Sequence, residues 1–420
     1  MKIVLVNKSD SVGGAAVACR RLQKALIKIG SDAKLLVQEK NDDDQAVKAT
    51  GTGFWQKKMV FLLFALERLY FLLYEASKEI RFAFSPAIAG ENIHKNHLIK
   101  NADIIHIHWF NQGFLSLKSL KKLIALNKPI VWTLHDMWAF TGGCHYNGDC
   151  ENYLDNCGNC PFIKKPSKKD ISYKILKKKR VILKDANITF VTCSNWLKEK
   201  AKKSSLLQDF KVISIPNPID KKQFYPMDKK VIRQKLSLPT DKKLILFAAA
   251  NISDKRKGLS YLLKALELME GNSSKHTDFE ILTFGKSDSK IFNNLPFKVH
   301  DLGILSKVEK IAEAYNAADL FVLPSLEDNL PNTIMESLAC GTPVLAFKTG
   351  GIPEMIEHKK NGYLAAYKSV EDLKNGIDFF MDHPQPETLS ENAVEKVQRT
   401  YSEELVAEKY MKVYEDKRQK

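Results

Sequence analysis

Asp319-Leu-Phe-Val-Leu-Pro-Ser-Leu-Glu-Asp-Asn-Leu-Pro-Asn-Thr-Ile-Met-Glu-Ser-Leu-Ala-Cys-Gly-Thr-Pro-Val-Leu-Ala-Phe347 is the stretch whose reading decides the fold. Leu320 to Leu323 is a short apolar run that stops at Pro324-Ser325, the pattern of a strand buried on both faces of a parallel sheet. The loop from Leu326 to Asn332 carries the adjacent carboxylates Glu327 and Asp328. Asn329 or Asn332 is expected to cap the next helix. Ile334 and Leu338 fall on its inner face, Glu336 lies near its start, and Gly341 takes the left-handed position beyond its end. Pro343 to Phe347 reads as a second buried strand, and Lys348-Thr-Gly-Gly-Ile352 leads to a helix opened by Pro353-Glu354. Such a parallel strand–helix–strand unit binds ligands beyond the carboxyl ends of its strands, where helix N-termini present free N–H groups. Carboxylates there accept hydrogen bonds from sugar or ribose hydroxyls, and the N–H groups of Asn332 and Thr333 can hold phosphate oxygens.

The segment from Pro324 to Gly362, with its acidic pair, Glu336-Ser-Leu-Ala-Cys-Gly-Thr-Pro-Val344 and Gly350-Gly-Ile-Pro-Glu354, resembles the donor site of retaining glycosyltransferase family 4. The plainer reading is a solvated acidic turn. The resemblance implies an α/β chain of GT-B architecture, with two Rossmann-like doubly wound parallel-sheet domains facing a cleft. It also implies a nucleotide-sugar donor bound through Glu327, Asp328, Leu330, Asn332, Thr333 and Glu336. The family pattern has two carboxylates with seven residues between them, and Asp328 and Glu336 have that spacing (329–335). The family usually has Glu first, so either Asp328 substitutes for it or Glu327 supplies the group.

A chain of 420 residues with 44% apolar content has material for two cores. Its formal charge of +16 calls for an anionic partner, and nucleic acid, an anionic membrane and a diphosphate substrate all qualify. Met1-Lys-Ile-Val-Leu-Val6 enters a strand directly, without a basic leader, which reads as cytoplasmic, with the seven cysteines mostly reduced.

In chain order, Lys2 to Asn7 is a strand, followed by a polar loop to Gly14 and a helix from Ala15 to Ile29 with Leu22, Leu26 and Ile29 on one face. Gly13-Gly14 lacks the full dinucleotide fingerprint and could be purely steric. The resemblance implies that this pair meets the donor across the cleft. Residues 54 to 84 hold apolar runs shorter than the ~20 residues that span a bilayer. They read either as an interfacial helix meeting acceptor lipid or as a helix packed in the first domain. Two strands, Asp103 to Trp109 and Pro129 to Asp136, each deliver histidine near the carboxyl end. His106 and His108 share a strand face and read as structural. The resemblance places His135 near the transferred sugar, in a catalytic set with Lys257 and Asp328.

The tract from Lys164 to Lys184 reads as a solvated helix face or as a patch for an anionic leaflet, where each nearby lysine is worth roughly 1 kcal/mol. Pro216-Asn-Pro-Ile-Asp220 resembles the family's interdomain link, with Pro218 where glycine is usual. The expected domains are 1–217, 218–395, and a C-terminal helix over 396–420 crossing back. Lys257-Gly258 matches the family's lysine toward the donor diphosphate. The usual upstream arginine is replaced by Asn251 or Ile252, with Arg256 as the compensating cation.

The function implied is sugar transfer from a nucleotide-diphosphate-sugar to a glycan or lipid-linked acceptor in surface polysaccharide assembly, without a catalytic metal. A nucleotide-sugar epimerase of the same fold is the rival enzyme. A basic nucleic-acid-binding protein is the non-enzymatic rival, disfavoured because the lysines are not interleaved with regularly spaced aromatics.

Cys144, Cys150, Cys157 and Cys160 form a separate pattern. Cys157-Gly-Asn-Cys160 has the spacing that presents two sulfurs to one ion, and a structural zinc is the expected metal. His145 could replace one thiolate, an iron–sulfur cluster is the other metal group such a set holds, and two disulfides or four buried thiols are the alternatives.

Overall fold

Alternation along the first strand sets up the first unit. In β1 (Lys2–Ser9), Ile3 and Leu5 enter one core and Val4 and Val6 enter the other, so both faces of the sheet are covered. The computed structural model describes residues 1–270, 279–286, 289–292 and 295–419. The chain forms two units, Met1–Pro218 with Glu404–Lys420, and Ile219–Glu403.

The first unit contains β1, β2 (Asp32–Glu39), β3 (Val47–Ala49), β4 (Ile104–Ile107), β5 (Ile130–Leu134), β6 (Ile188–Thr192) and β7 (Val212–Ser214). They pair in parallel in the order β3-β2-β1-β4-β5-β6-β7, with Val6 opposite Ile107 and Leu134 opposite Thr192. The order reverses between β1 and β4, and loops leaving a sheet at such a point diverge and open a crevice. Helix Gly14–Lys28 follows β1. Leu22 and Leu26 are buried, whereas Ile29 is the C-terminal cap and exposed, outside the expected stripe, because the chain turns at Gly30 with φ 87°.

The second unit contains β8 (Lys243–Asn251), β9 (Phe279–Lys286), β10 (Val299–Asp301), β11 (Leu320–Leu323), β12 (Val344–Phe347) and β13 (Gly362–Ala365). Its parallel order is β10-β9-β8-β11-β12-β13, reversing between β8 and β11.

Helix Pro386–Tyr401 buries Leu389, Ala393, Val397 and Tyr401 at four-residue intervals. That stripe carries it past residue 396, and the chain returns to the first unit only with helix Glu403–Arg418, at Glu404. Val406, Ala407, Tyr410 and Tyr414 of the returning helix pack against Ile3, Leu5 and Ile104.

Helix Phe54–Leu72 inverts the usual pattern. Glu67, Arg68 and Phe71 are its buried side chains, while Phe54, Trp55, Met59, Phe61, Leu62, Leu66, Leu69 and Leu72 are exposed. The Glu67 carboxylate accepts the Gly113 N–H at 3.0 Å and pairs with Arg68 at 3.1 Å, which explains how two charges face inward. Among the described residues no helix is long and apolar enough to cross a membrane. Helix Ile171–Leu183 holds a second surprise: Lys179 follows Ile175 by one turn on the buried face and is 2% exposed. Its ammonium donates to the carbonyl of Trp138 and, at 3.0 Å, to that of Thr141, so this lysine does not belong to the solvated face.

Candidate active site

Strand β11 ends at Pro324, and the next turn delivers the acidic pair. Ser325 is fully buried, Asp328 is 8% exposed and Glu327 is half-buried. Helix Asn332–Ala339 begins after Pro331, which holds the N-cap position with no side-chain cap bond. The expectation that Asn329 or Asn332 caps it is therefore corrected. Proline has no N–H to leave unsatisfied there, and the Ile334 N–H turns back to the Pro331 carbonyl at 3.2 Å. Thr333 Oγ1 is buried without a hydrogen-bond partner. Gly341, with φ 76°, takes the left-handed position past the helix end, as its sequence context predicts.

Three close approaches fix the loop. The Asp328 carbonyl accepts the Gly351 N–H at 3.2 Å, and a Cβ on Gly350, whose φ is 57°, would lie 1.8 Å from that same oxygen. Only glycine fits there. Gly258 plays the same part below β11, since its added Cβ would meet the Pro324 carbonyl at 1.9 Å. The third is an ion pair: Lys257, from the short turn Lys255–Lys257 after β8, places Nζ 2.6 Å from Asp328 Oδ2. Arg256 reaches the Glu327 carbonyl at 3.2 Å and Asp254 Oδ2 at 3.5 Å. Asn251 is exposed, and its Oδ1 accepts the Ser253 N–H at 3.1 Å, so it organises the turn. Glu336 is 8% exposed and accepts from the Tyr315 hydroxyl at 3.3 Å; Leu330 is buried.

The second unit thus brings Lys257, Arg256, Asp328, Thr333 and Glu336 to the strand-end loops of β8 and β11 and the helix that follows. Tyr315 and Ser325, whose hydroxyl is 3.4 Å from Asp328 Oδ2, join them without any signal in the sequence, because tyrosine and serine in an apolar context look like ordinary core residues.

In the first unit, Gly13 caps helix Gly14–Lys28 with φ 91° and open space around it, and Gly14 is likewise exposed. The histidines of β4 and β5 form a chain. His106 joins Thr133 Oγ1 and the Tyr414 hydroxyl, each at 2.7 Å, and its ring lies 4.2 Å from that of His108. His108 Nδ1 meets His135 Nε2 at 3.0 Å, leaving His108 Nε2 buried without a partner. Burial pushes the His135 imidazole down to about 4 and His106 to about 3, and it drives His108 well down too, so all three are neutral at physiological pH.

Beside them, burial alone would raise the Asp136 carboxyl, but His145 and the N–H groups of Trp138 and Trp109 hold it below the carboxylate range. His145 Nδ1 is 2.7 Å from Asp136 Oδ2 and Nε2 is 3.0 Å from Ser85 Oγ. Both ring nitrogens of His145 are thus engaged by protein groups.

Sequence comparison agrees with these arrangements. The sequence pattern described as Glycosyltransferase Family 4 matches residues 12–223, and that described as Glycosyl transferases group 1 matches residues 228–396. The chain belongs to this glycosyltransferase family. An uncharacterised glycosyltransferase of Methanocaldococcus jannaschii is 23% identical over 99% of this chain and 98% of its own. A putative colanic acid biosynthesis glycosyl transferase of Escherichia coli is 25% identical over 64% of this chain and 65% of its own. Among solved structures, a sucrose-phosphate synthase from Thermosynechococcus elongatus superposes with TM-score 0.67 at 19% identity, covering 99% of this chain and 98% of that one. An Anabaena protein in complex with UDP gives TM-score 0.64 at 16% identity, covering 99% and 100%. The fold is GT-B.

Proposed function

We propose that the protein is a retaining glycosyltransferase that moves a hexosyl unit from a nucleotide-diphosphate-sugar to a hydroxyl of a glycan or lipid-linked acceptor in surface polysaccharide assembly. The observation that carries this reading is the Lys257–Asp328 pair beside the uncapped start of helix Asn332–Ala339. A cation, the positive end of a helix and the unpartnered Thr333 hydroxyl suit a diphosphate, while Asp328 and Glu336 suit hydroxyls. Asp328, held by Lys257, fills the first carboxylate position; Glu327 offers its carbonyl to Arg256.

In this reading the bond from the sugar's anomeric carbon to the diphosphate oxygen breaks as the acceptor oxygen bonds to that carbon from the same face. The acceptor proton passes to the departing phosphate. Lys257, Arg256 and the helix start stabilise charge building on the phosphate, which is where such groups lower a barrier. His135, being neutral, contributes hydrogen bonding and no charge.

The Anabaena protein was also solved with UDP-glucose, which makes UDP-sugars the first donors to screen. A Campylobacter jejuni relative, 27% identical over 47% of this chain, is named for transfer to a diphospho-undecaprenol-linked sugar, in keeping with a lipid-linked acceptor. The exposed apolar helix Phe54–Leu72 supports a cytoplasmic protein held peripherally on the inner face of the cell membrane. The test is turnover across a panel of nucleotide-sugars with and without acceptor lipid. Retention of the anomeric configuration in the product is expected, and an inverted product or no donor turnover rejects the reading.

A further inference from the structure

Four cysteines that the proposed transfer does not use converge on one place in the first unit. Cys144, Cys150, Cys157 and Cys160 all line a single pocket of about 310 Å³, counted with its open mouth, beside Phe84 and Tyr153. All four are free thiols. Among the described residues no group of three or more His, Cys, Asp or Glu is placed to hold a metal ion as the chain stands, so the four sulfurs must move together around the pocket to bind one.

The chain around the pocket is shaped to present sulfur. Cys157 and Asn159 adopt left-handed backbone, with φ 56° and 46°, which non-glycine residues seldom take. Gly158 between them, with φ 93°, would put a Cβ 2.4 Å from the Lys168 carbonyl. Cys157-Gly-Asn-Cys160 is thereby folded into a tight turn. Burial pushes the Cys157 and Cys160 thiols up to about 12, opposed by the N–H groups of Gly142 and Phe162, so without a cation to hold them as thiolates these sulfurs stay protonated. Burial pulls Lys179 down to about 7, opposed by the neighbouring Cys144, Cys157 and Asp136. Between β5 and helix Ile171–Leu183 the only regular elements among the described residues are the short turns Trp138–Phe140 and Asn152–Leu154. Connections that long in a compact domain usually need something to hold them.

We propose that Cys144, Cys150, Cys157 and Cys160 form a tetrathiolate site for one Zn²⁺ that locks the loop from Thr141 to Ile163 in shape. Four thiols release four protons to solvent and form four Zn–S bonds, with no change of oxidation state. The all-sulfur set selects zinc over oxygen-preferring magnesium and calcium.

Protein purified under reducing conditions without added metal is expected to carry about one zinc per chain, the stoichiometry of one four-ligand site. Blocking thiols with a mercurial should release it in step with four of them. Cys157→Ser is expected to lose at least nine-tenths of the metal, while Cys19→Ala, in the core on the opposite sheet face, keeps it. Should the serine variant fail to fold, wild-type protein stripped by the mercurial, reduced and given Co²⁺ should show the charge-transfer and d–d bands of tetrahedral cobalt thiolate. Protein with four titratable thiols that takes up neither metal, or that is isolated with two disulfides after thiols are trapped at lysis, overturns the site.

Discussion

The Lys257 ammonium stands 2.6 Å from Asp328 Oδ2, and the pair joins the loops leaving β8 and β11, the two strands between which the sheet order reverses. The side chains are 19% and 11% exposed, so the pair is sheltered without being sealed. Two glycines let neighbouring backbone close on the β11 loop, Gly258 from the loop after β8 against Pro324 and Gly350 from the loop after β12 against Asp328. Lys257→Ala is expected to lower kcat on the order of a hundredfold, as does removal of other groups that bind charge developing in a transition state. The cost to folding should be a few kcal/mol at most, because the mostly buried Asp328 loses its partner. Steady-state kinetics beside thermal melting check this, and turnover within about threefold of wild type would remove Lys257 from the chemistry.

Gly350→Ala tests the loop without touching a reacting group. A Cβ would sit 1.8 Å from the Asp328 carbonyl at a backbone φ of 57°, so the loop must move and the Gly351 N–H must leave Asp328. Strain of this kind costs on the order of 1–3 kcal/mol. We expect a melting temperature lower by several degrees and donor KM raised at least tenfold. Gly13→Ala, with open space around the added carbon, should be milder in the melt. A Gly350→Ala protein with unchanged melting and KM would contradict the described loop.

The buried histidines predict how stability responds to acid. Desolvation depresses His135 to about 4, His106 to about 3 and His108 well below its ordinary value, while the unfolded chain takes up these protons near pH 6.5. A depressed pKa gives stability that is fully present above the unfolded value and lost as pH falls. Tyr410, Tyr414, Thr133 and Cys193 face this cluster as neutral groups, and Asp136 is the neighbouring anion. Between pH 6.5 and 4 the first unit should lose up to about 4 kcal/mol per pH unit, three protons' worth. Denaturant titrations at pH 7.5, 6 and 5 measure it, and flat stability over that range would mean that the histidines are hydrated.

Much of the fold could be read from local pattern. The apolar runs of β11 and β12, the alternation in β1 and the left-handed Gly341 each depend on neighbours a few residues away. What escaped depends on contacts distant in sequence. Lys179 reads as one more lysine in a basic tract until its position on the Ile175 face and the carbonyls of Trp138 and Thr141 are known. The bond between Asp136 and His145, and the bond from the Tyr414 hydroxyl to His106, join positions that no spacing rule connects. At the donor loop the residue types were legible, but the choice of Asp328 over Glu327 as the partner of Lys257 is a matter of which way a turn points.

The last prediction concerns the helix that faces outward. Trp55 is 79% exposed, Phe61 70% and Leu69 60%, an arrangement that costs free energy in water unless another phase covers it. The end of this segment is stitched to the start of the lysine tract, because the Ala76 N–H donates to the Phe162 carbonyl at 3.1 Å and the Lys164 N–H to the Tyr74 carbonyl at 2.7 Å. Exposed apolar residues and the exposed Lys164, Lys165, Lys177 and Lys178 therefore belong to one unit, the combination that an anionic leaflet attracts. Vesicles containing anionic lipid should bind the protein and shift Trp55 fluorescence to the blue, whereas neutral vesicles should bind it less. Phe61→Glu with Leu69→Glu should weaken binding at least tenfold at any ionic strength, since burying one such side chain is worth about 2 kcal/mol. Lys177→Gln with Lys178→Gln should weaken it only at low salt, because the screening length falls from ~10 Å at 0.1 M to ~3 Å at 1 M. Lys179 is left intact in that variant, as its loss would unseat the carbonyls of Trp138 and Thr141 and confound the result. Vesicle affinity unchanged by the glutamate pair would mean that another protein, not lipid, covers the helix.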